Sequence, residues 1–430
     1  MSASEQSADR ASRDWAERRL HFIGIGGAGM SGLALVCRRL GATVTGSDRA
    51  DSSYMERLRK AGLDPLVGHD AANLPRGDDV EVVRSTAIAA DNPELKKAVD
   101  NGMRVLHRGQ LLAELCEEKR LIAVAGTHGK TTTAAMLVWA LRGIGADPAF
   151  FVGGEVPGLG DGFDAANAGW GEGEWAVAEA DESDASFLEL KPEIAVITNI
   201  EMDHHSHWES LAALHEAFAE FAGRAQAIAR PEDVDLSPPL AVPGHHNVLN
   251  ARAALAAMRL AGLDVEAGAG ALAGFPGVRR RLELKGEREG TEIYDDYAHH
   301  PTEVRAALSA LRELGPQRLI AVFQPHLYSR TKAFAEGFGA ALALADEVVV
   351  LDVYPAREEP VGELAGVSGL LVARAAADRM GGKAVIWAPT LERAREAIEP
   401  RLGRGCVLAT IGAGDVFTLA EELVGDGGPP

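Results

Sequence analysis

Two glycine-rich loops constrain this chain more than any other feature of its sequence. Each loop follows a short apolar segment typical of a buried strand and leads into a stretch with helical character. The first occupies residues 24–29 after the apolar segment 20–23, and the second occupies residues 126–132 after the apolar segment 121–124. A strand, a tight glycine turn and a helix N-terminus together offer backbone N–H groups and a positive dipole end to phosphate. The two loops therefore predict an α/β protein with two anion-binding turns.

The length and the strand–helix alternation predict a multi-domain α/β chain. At about 150 residues per domain, 430 residues correspond to about three domains. The alternation recurs in three segments, beginning near residues 20, 121 and 275. Apolar residues make up 47% of the chain and charged residues 25%, which is the balance of a folded globular protein.

The charge and the cysteine content exclude some classes of function. Lys and Arg number 43 and Asp and Glu 63, so the formal net charge is −20. Such a chain is poorly suited to sequence-independent nucleic-acid binding, which depends on basic surface. The three cysteines are too far apart in sequence for a disulfide framework, and the N-terminal residues lack the apolar core of a signal peptide. With no apolar run of about 18 residues, we expect a cytoplasmic protein without a membrane span.

The first glycine loop satisfies the G-x-G-x-x-G pattern of dinucleotide-binding turns. Its glycines are Gly24, Gly26, Gly27 and Gly29, and Asp48 follows 19 residues after the last of them, at the end of the next predicted strand. An acid at that place is expected to bind a ribose. The residues alone leave open a nicotinamide or flavin site, another nucleotide diphosphate, or a turn without ligand.

The second loop resembles a shortened Walker A loop. Only two residues separate its glycines, where the Walker A pattern has four, and the candidate ATP-binding residues are Gly126, Thr127, His128, Gly129, Lys130, Thr131 and Thr132. Backbone N–H groups would cradle phosphates, Lys130 would neutralise the β- and γ-phosphates, and the Thr131 hydroxyl would hold Mg²⁺. The alternative is a Gly-Lys-Thr helix cap without nucleotide.

Phosphoryl transfer also needs metal ligands, and two candidates follow predicted strands. Glu179 comes directly after the apolar segment 175–178, and His204 follows the segment 194–197. Strand ends beside a phosphate loop are the usual place for such ligands in parallel sheets. The alternatives are a solvated acidic turn and a surface histidine cluster.

The remaining candidates lie in polar clusters of the last 190 residues. An alanine-rich helix begins with His246, Asn247 and Asn250, whose side chains could read an adenine edge or cap the helix. A basic run at 279–281 contains Arg281, the run at 295–303 contains Asp296, Tyr297 and His299, and the run at 324–332 contains Arg330.

Taken together, these motifs resemble the Mur ligases of peptidoglycan synthesis. The resemblance covers residues 21–415, and the order and spacing of its motifs are far more specific than any one of them. It is carried by residues 24–32, 126–132, 179–187, 198–204, 246–250 and 295–303. It implies ATP-dependent ligation of L-alanine to the lactyl carboxylate of UDP-N-acetylmuramate through an acyl phosphate, with Mg²⁺ as cofactor.

The resemblance also implies roles for the candidate residues. By family pattern Lys130 contacts the γ-phosphate, and Thr131, Glu179 and His204 serve Mg²⁺. The first loop and Asp48 would hold the diphosphate and ribose of the UDP-sugar rather than NAD. ATP would also be contacted by His246, Asn247, Asn250, Arg281 and Asp296. The amino acid would lie against Tyr297, His299 and Arg330. The catalytic residues would be Lys130, Glu179, His204 and His299.

Three domains follow from the resemblance, each with one substrate. We predict a disordered tail at 1–19, a UDP-sugar-binding Rossmann-like domain at 20–112, a central P-loop ATP-binding domain with a mostly parallel sheet at 113–274, and a C-terminal Rossmann-like domain for the amino acid at 275–430. The central domain is shorter than is usual in these ligases between residues 204 and 244. Leu327 stands where many members of the family carry an arginine, which leaves the amino-acid preference open.

Three other functions share some of these motifs. A ligase of the same family that attaches a preformed tripeptide to UDP-N-acetylmuramate would share most of the motifs. An NAD-dependent dehydrogenase would explain the first loop and leave Lys130 without a role. A P-loop ATPase that drives motion would leave the first loop without a role.

Overall fold

The computed structural model describes residues 14–77, 79–160, 165–203, 208–356 and 358–425. The chain divides into two compact units, the first comprising Met1–Pro239 and Leu249–Pro276 and the second Leu240–Val248 and Gly277–Pro430. The described residues form three sheets, two in the first unit and one in the second. Among these residues no helix is both long enough and apolar enough to cross a bilayer.

The first sheet is parallel throughout and has the strand order β3-β2-β1-β4-β5. Helices follow its strands in the alternating pattern that the sequence predicts. Its elements are β1 (Arg19–Ile23), α1 (Ala28–Arg39), β2 (Thr43–Asp48), α2 (Ser53–Lys60), β3 (Leu66–Val67), β4 (Val80–Arg84), α3 (Pro93–Asp100), β5 (Val105–His107) and α4 (Arg108–Cys116). The order reverses between β1 and β4, and the first glycine loop leaves β1 at that switch point, where α/β sheets bind ligands.

The second sheet has the order β11-β10-β6-β9-β7-β8 and is parallel except for the β7–β8 pair. The second glycine loop leaves its central strand β6. Its elements are β6 (Arg120–Ala125), α5 (Lys130–Gly143), β7 (Ala149–Phe151), β8 (Ala168–Gly169), β9 (Trp175–Glu179), β10 (Ile194–Ile197), α6 (Leu211–Gly223), β11 (Ala227–Ala229), α7 (His245–Leu260) and α8 (Val265–Leu272).

The first two sheets share one apolar core. Buried side chains of α1, α4 and β6 belong to the same hydrophobic cluster as those of β7, β9 and α6. At the contact between α1 and β8 the packing is close, because a Cβ on Gly32 would lie 2.7 Å from the Cβ of Ala168. These contacts hold the two glycine loops within one compact unit.

The third sheet has the order β12-β13-β17-β14-β15-β16, with one antiparallel pair, β12–β13. Apolar clusters cover both of its faces. Its elements are β12 (Glu283–Arg288), β13 (Thr291–Asp296), α9 (Pro301–Glu313), β14 (Arg318–Phe323), α10 (Tyr328–Leu342), β15 (Glu347–Val350), α11 (Gly369–Arg379), β16 (Val385–Trp387), α12 (Leu391–Ile398), β17 (Cys406–Ile411) and α13 (Phe417–Gly425). The predicted three-domain α/β fold with mostly parallel sheets is therefore confirmed.

The structure differs from the predicted domain limits at the N-terminus, at residue 112, and at Leu240–Val248, which was assigned to the central domain and belongs to the second unit. The disordered tail was expected to reach residue 19, but a short 3₁₀ helix forms at Trp15–Glu17 and β1 already begins at Arg19. Trp15 is only 5% exposed, because it packs into the core cluster of the first unit. Residues 1–13 of the predicted tail lie outside the described residues. The predicted limit at residue 112 falls inside α4, which leads the chain from the first sheet to β6.

A fully buried carboxylate, that of Glu94, connects several elements of the first sheet. It accepts hydrogen bonds from His21 on β1 (2.9 Å), Ser47 on β2 (2.7 Å) and Asn73 (2.9 Å). Although burial raises the pKa of Glu94, these hydrogen bonds lower it more, to about 2. The hydrogen bonds to β2 and to the loop after β3 stabilise the half of the sheet that contains β2, the strand that ends at Asp48.

We expect Glu94→Gln to lower the thermal unfolding midpoint of the protein. Loss of the charged acceptor of these hydrogen bonds should lower the free energy of unfolding by about 2–3 kcal/mol, which corresponds to a drop of about 4–8 °C in the unfolding midpoint. Because the pKa is about 2 in the folded state and 4.5 in the reference state, the wild-type advantage should be complete above pH 4.5 and shrink as the pH falls towards 2. Circular dichroism melts across this range measure it.

The matched control is Glu117→Gln, which removes an exposed carboxylate whose ion pair with Lys191 (3.0 Å) lies at the surface. Exposed pairs of this kind contribute about 0–1 kcal/mol, so this variant should melt close to wild type. Equal midpoints for Glu94→Gln and wild type at neutral pH would contradict a stabilising role of the buried carboxylate.

Candidate active site

The second glycine loop has the backbone geometry of a phosphate-binding turn. Gly126 (φ +138°) leaves β6, and Gly129 (φ +81°) precedes the first residue of α5, Lys130. Both glycines are in the left-handed half of φ space, which side-chain-bearing residues rarely adopt. A Cβ on Gly126 would also overlap the Thr198 hydroxyl. The loop is therefore a crowded turn that requires glycine at both positions and leads into the N-terminus of a 14-residue helix.

The loop is held in place by residues that directly follow β10. Asn199 accepts from the His128 N–H (2.9 Å) and donates to the His128 carbonyl (2.9 Å), while its own carbonyl accepts from the Thr127 N–H (3.1 Å). Thr198 donates its hydroxyl to the same His128 carbonyl at 2.6 Å. The sequence contains this Thr-Asn pair, but sequence reasoning gave it no role of its own.

Lys130 forms an ion pair with a carboxylate that the sequence analysis did not single out. Its Nζ lies 2.7 Å from Glu182, which is 1% exposed, and it also donates to the Gly126 carbonyl at 2.7 Å. Burial lowers the pKa of Lys130, but Glu182, Asp181 and Glu179 offset that effect and raise it above its ordinary value. The lysine is thus cationic and partly buried at the mouth of the loop, with 12% of its side chain exposed.

Glu182 itself is held in an unusual electrostatic state. Burial raises the pKa of its carboxyl to about 7, against the effect of the Lys130 charge, which lowers it. Its neighbour Asp181 behaves differently: burial raises its pKa, but the charges of Lys130 and Arg108 lower it more, to about 2. The acidic loop after β9 therefore provides the counter-charge for the cations around it.

The predicted metal ligands Thr131 and Glu179 are brought together. The Thr131 hydroxyl donates to Glu179 Oε1 at 2.9 Å, and the other carboxylate oxygen accepts from the Gly153 N–H at 2.6 Å. A hydroxyl and a carboxylate oxygen are hard ligands of the kind that Mg²⁺ prefers, so the donor set fits that ion. His204 lies outside the described residues, and its place as a third ligand remains a prediction.

The three residues predicted to lie near adenine share helix α7. Asn250 belongs to the first unit, where its side-chain oxygen accepts from Thr133 at 3.2 Å and lies against Gly129. His246 and Asn247 belong to the second unit. Burial lowers the pKa of His246 to about 4, so this imidazole is neutral at physiological pH. The Asn247 amide donates to the Pro243 carbonyl at 2.7 Å.

The first glycine loop is organised around Asp48. The Asp48 carboxylate accepts from the Gly26 N–H at 2.9 Å, and Gly24 takes a φ of +83° as it leaves β1. Gly27 is the N-cap residue of α1, in extended conformation and without a capping side chain, and Gly29 lies in the first turn. The predicted UDP-sugar residues therefore meet at one helix N-terminus, with the acid directly beside the turn.

In the second unit, Arg281 and Asp296 lie together at the end of β13. Burial raises the pKa of Asp296 to about 6, while the Arg281 charge lowers it. The Asp296 carboxylate accepts from the N–H groups of Leu282 and Ala298, each at 2.8 Å. The guanidinium of Arg281 lies over the Tyr297 ring, 5.3 Å from its centre.

The predicted amino-acid residues form an aromatic and basic cluster in the same unit. The rings of Tyr297 and His299 meet edge to face at 5.4 Å, and Arg330, which is buried, donates to His326 at 3.3 Å. His326 in turn stacks on Tyr354 at 5.8 Å. His326 and Tyr354 were not among the predicted residues, although His326 lies in the polar run that marked Arg330.

The comparisons with known proteins identify the family of the chain. Three family models match the chain: "Mur ligase family, catalytic domain" over residues 19–120, "Mur ligase middle domain" over 124–230 and "Mur ligase, glutamate ligase domain" over 280–414. Two curated relatives named UDP-N-acetylmuramate–L-alanine ligase are 43% identical (Renibacterium salmoninarum) and 44% identical (Kineococcus radiotolerans). Each alignment covers 94% of this chain and 95% of the relative.

A solved structure shares the whole architecture. The UDP-N-acetylmuramate–alanine ligase of Thermotoga maritima is 29% identical, with a TM-score of 0.79 over 95% of this chain and 98% of that one. A murein peptide ligase from Psychrobacter arcticus shares the fold at 24% identity and a TM-score of 0.65. The chain is therefore an enzyme of the ligase class, and it belongs to the Mur ligase family.

We expect Gly129→Ala to weaken nucleotide binding at the second loop by at least tenfold. The new Cβ would lie 2.5 Å from the Asn250 side-chain oxygen, so this side chain, which accepts from Thr133, would have to leave its place against the loop. Gly145→Ala is the matched control, because Gly145 has nearly the same φ (+78°) but no atom within 4 Å of the added Cβ. Calorimetric titration with ADP measures the effect, and equal losses in both variants would contradict the crowding argument.

Proposed function

We propose that this protein joins L-alanine to the lactyl carboxylate of UDP-N-acetylmuramate, with ATP converted to ADP and phosphate, in peptidoglycan precursor synthesis. The curated relatives at 43–44% identity carry the name of that activity. The single observation that supports the proposal best is the shortened phosphate loop. Its partly buried Lys130 lies at a helix N-terminus beside Thr131 and Glu179.

The nucleotide-triphosphate site is supported by the charge arrangement around the second loop. The N–H groups at the start of α5 and the Lys130 ammonium provide positive charge where the β- and γ-phosphates of ATP would lie. Thr131 and Glu179 would hold Mg²⁺, which when bound reduces the negative charge on the γ-phosphate. Asn250, His246 and Asn247 would contact the nucleotide from α7. By family pattern Arg281 and Asp296 would contact it as well.

The sugar-nucleotide site is supported by the first loop. A diphosphate at the N-terminus of α1 would accept hydrogen bonds from the backbone N–H groups of the turn, whose glycines have no side chains to block its approach. Asp48 would face the ribose. The amino-acid site is supported by the cluster of Tyr297, His299 and Arg330. There a guanidinium offers a bidentate partner for the carboxylate of alanine.

The chemistry requires two steps, because a carboxylate is a poor electrophile at neutral pH. A lactyl carboxylate oxygen attacks the γ-phosphorus, the bond from that phosphorus to the bridging oxygen breaks, and ADP leaves. The alanine amine then attacks the carbonyl of the acyl phosphate and phosphate departs, which leaves an amide and releases one amine proton. The residues act by positioning and by neutralising charge rather than by forming covalent bonds, with Lys130 at the phosphate.

We expect Lys130→Met to lower kcat/KM for ligation by about 10³-fold or more, because the developing phosphate charge loses its cation. The substitution also leaves Glu182 buried without its cation, so the double variant Lys130→Met/Glu182→Gln should restore stability without restoring activity. Lys191→Met is the control, since that lysine is 71% exposed and lies in the same unit. Near-normal ligation by the folded double variant would contradict the assignment.

Phosphate release separates this function from the alternatives. We expect release from ATP only when UDP-N-acetylmuramate and an amino acid are both present, with L-alanine preferred over glycine and L-serine. A preference for the tripeptide L-alanyl-γ-D-glutamyl-meso-diaminopimelate would instead indicate the recycling ligase. Release without any sugar nucleotide would overturn the proposal in favour of a motor-type ATPase, and hydride transfer to NAD would indicate a dehydrogenase.

A cytoplasmic place of action completes the proposal. It is supported by the scattered cysteines, none of which is paired, and by the need for ATP. The proposed partners are small-molecule substrates only.

A further inference from the structure

Arg108 occupies an electrostatically unusual position next to the first glycine loop. It is the first residue of α4, and a Cβ on Gly29, in the first turn of α1, would lie 3.8 Å from its Nη1. Its Nη2 donates to Asp181 at 2.7 Å, and Asp184 lies 3.7 Å away. The side chain remains 29% exposed.

A cation at this place is unfavourable unless an anion accompanies it. Helix N-termini carry about half a positive charge, and Arg108 stands at that of α4 while reaching that of α1. The carboxylates of Asp181 and Asp184 supply the compensation within the chain. The Arg108 guanidinium lies beside the N-terminus of α1, and the two together favour an anion that carries more charge than a single carboxylate.

A cavity adjoins this guanidinium and extends to the candidate metal ligand. Its volume is about 110 Å³, and its lining includes Gly29, Arg108, Asn167, Glu179 and Asp181. A molecule that is bound to the first loop and extends towards Glu179 would therefore lie beside Arg108. A sugar nucleotide would extend in this direction if its diphosphate were at the N-terminus of α1 and its carboxylate near the second loop.

The start of α4 is held rigidly, so Arg108 is presented in one place. A Cβ on Gly109 would lie 2.7 Å from the Cβ of Ser186, which shows how closely α4 packs on the acidic loop region. His107 caps the helix by accepting from the Gly109 N–H at 3.3 Å, and Gln110 accepts from the His107 N–H at 2.9 Å. Only the side chain of Arg108 has to move to exchange one anion for another.

We propose that Arg108 binds the diphosphate of the sugar nucleotide and that Asp181 is the partner it leaves when the substrate arrives. This inference rests on the proposed function, since it assumes a sugar nucleotide on the first loop. Arg108 acts there as a substrate-binding residue opposite the glycine turn. Asp181 acts as its counter-ion in the substrate-free enzyme.

The test compares UDP affinity in wild type, Arg108→Met and Asp181→Asn. We expect Arg108→Met to bind UDP about 10- to 100-fold more weakly, because a charge-assisted hydrogen bond to phosphate is lost. Its inhibition by uridine, which lacks phosphate, should be unchanged, as should its KM for ATP. Arg104→Met is the control, since Arg104 also pairs with two carboxylates, Glu81 and Glu114, but is 56% exposed at the surface.

Asp181→Asn distinguishes binding from a purely structural ion pair. If Asp181 competes with the substrate for Arg108, its neutralisation should leave UDP binding as tight as in wild type or tighter. If the pair only supports the fold, both substitutions should weaken UDP binding and lower the thermal midpoint alike. Equal losses in the two variants, or a UDP affinity of Arg108→Met within twofold of wild type, would overturn the inference.

The same experiment separates this inference from the proposed function. Wild type that binds UDP-N-acetylmuramate and ligates alanine, together with an unaffected Arg108→Met, would leave the function intact and remove only the role of Arg108. Wild type that binds neither UDP nor UDP-N-acetylmuramate would overturn both.

Discussion

The partly buried positive charge of Lys130 is the interaction on which the rest of the first unit depends. An ammonium group removed from water at the N-terminus of α5 is opposed by both desolvation and the helix dipole. The structure balances it with Glu182 at 2.7 Å and with the charges of Asp181 and Glu179. The loop therefore exists in a charge-balanced state before any phosphate arrives, and a phosphate has to compete with a carboxylate that is already in contact.

One acidic segment serves both anion-binding turns of this unit. Asp181 lies 2.7 Å from Arg108, next to the first loop, and its charge also acts on Lys130, at the second. The shared core of the first two sheets keeps both cations within reach of this segment. A net charge of −20 is compatible with the two proposed anion sites, because Arg108 and Lys130 place positive charge locally, each beside a carboxylate.

The sequence was sufficient for those parts of the fold and the site that are local in the chain. Apolar runs before glycine turns predict β1 and β6, and the strand–helix alternation in three segments predicts three domains. The sequence could not indicate that Glu182 rather than Glu179 pairs with Lys130, because a run of four acids does not reveal which side chain turns inward. Arg108 was missed for a similar reason, since its partner Asp181 is 73 positions away and only tertiary packing joins them. Trp15 lay in a polar segment and gave no sign of its burial.

The structural role of position 327 depends on its main chain, so a leucine can stand there in place of the arginine of the family pattern. This residue, the N-cap of α10, has a φ of +68° and a ψ of 136°, a conformation that costs a non-glycine residue about 1–3 kcal/mol. Its N–H donates to the Tyr354 carbonyl at 3.0 Å, and the Tyr354 ring stacks on His326, which accepts from Arg330. The backbone at Leu327 thus ties the start of α10 to the segment after β15 and orients Arg330. Because this connection uses only main-chain atoms at position 327, the side chain there is free to differ from an arginine while the cluster that would receive the amino acid keeps its geometry.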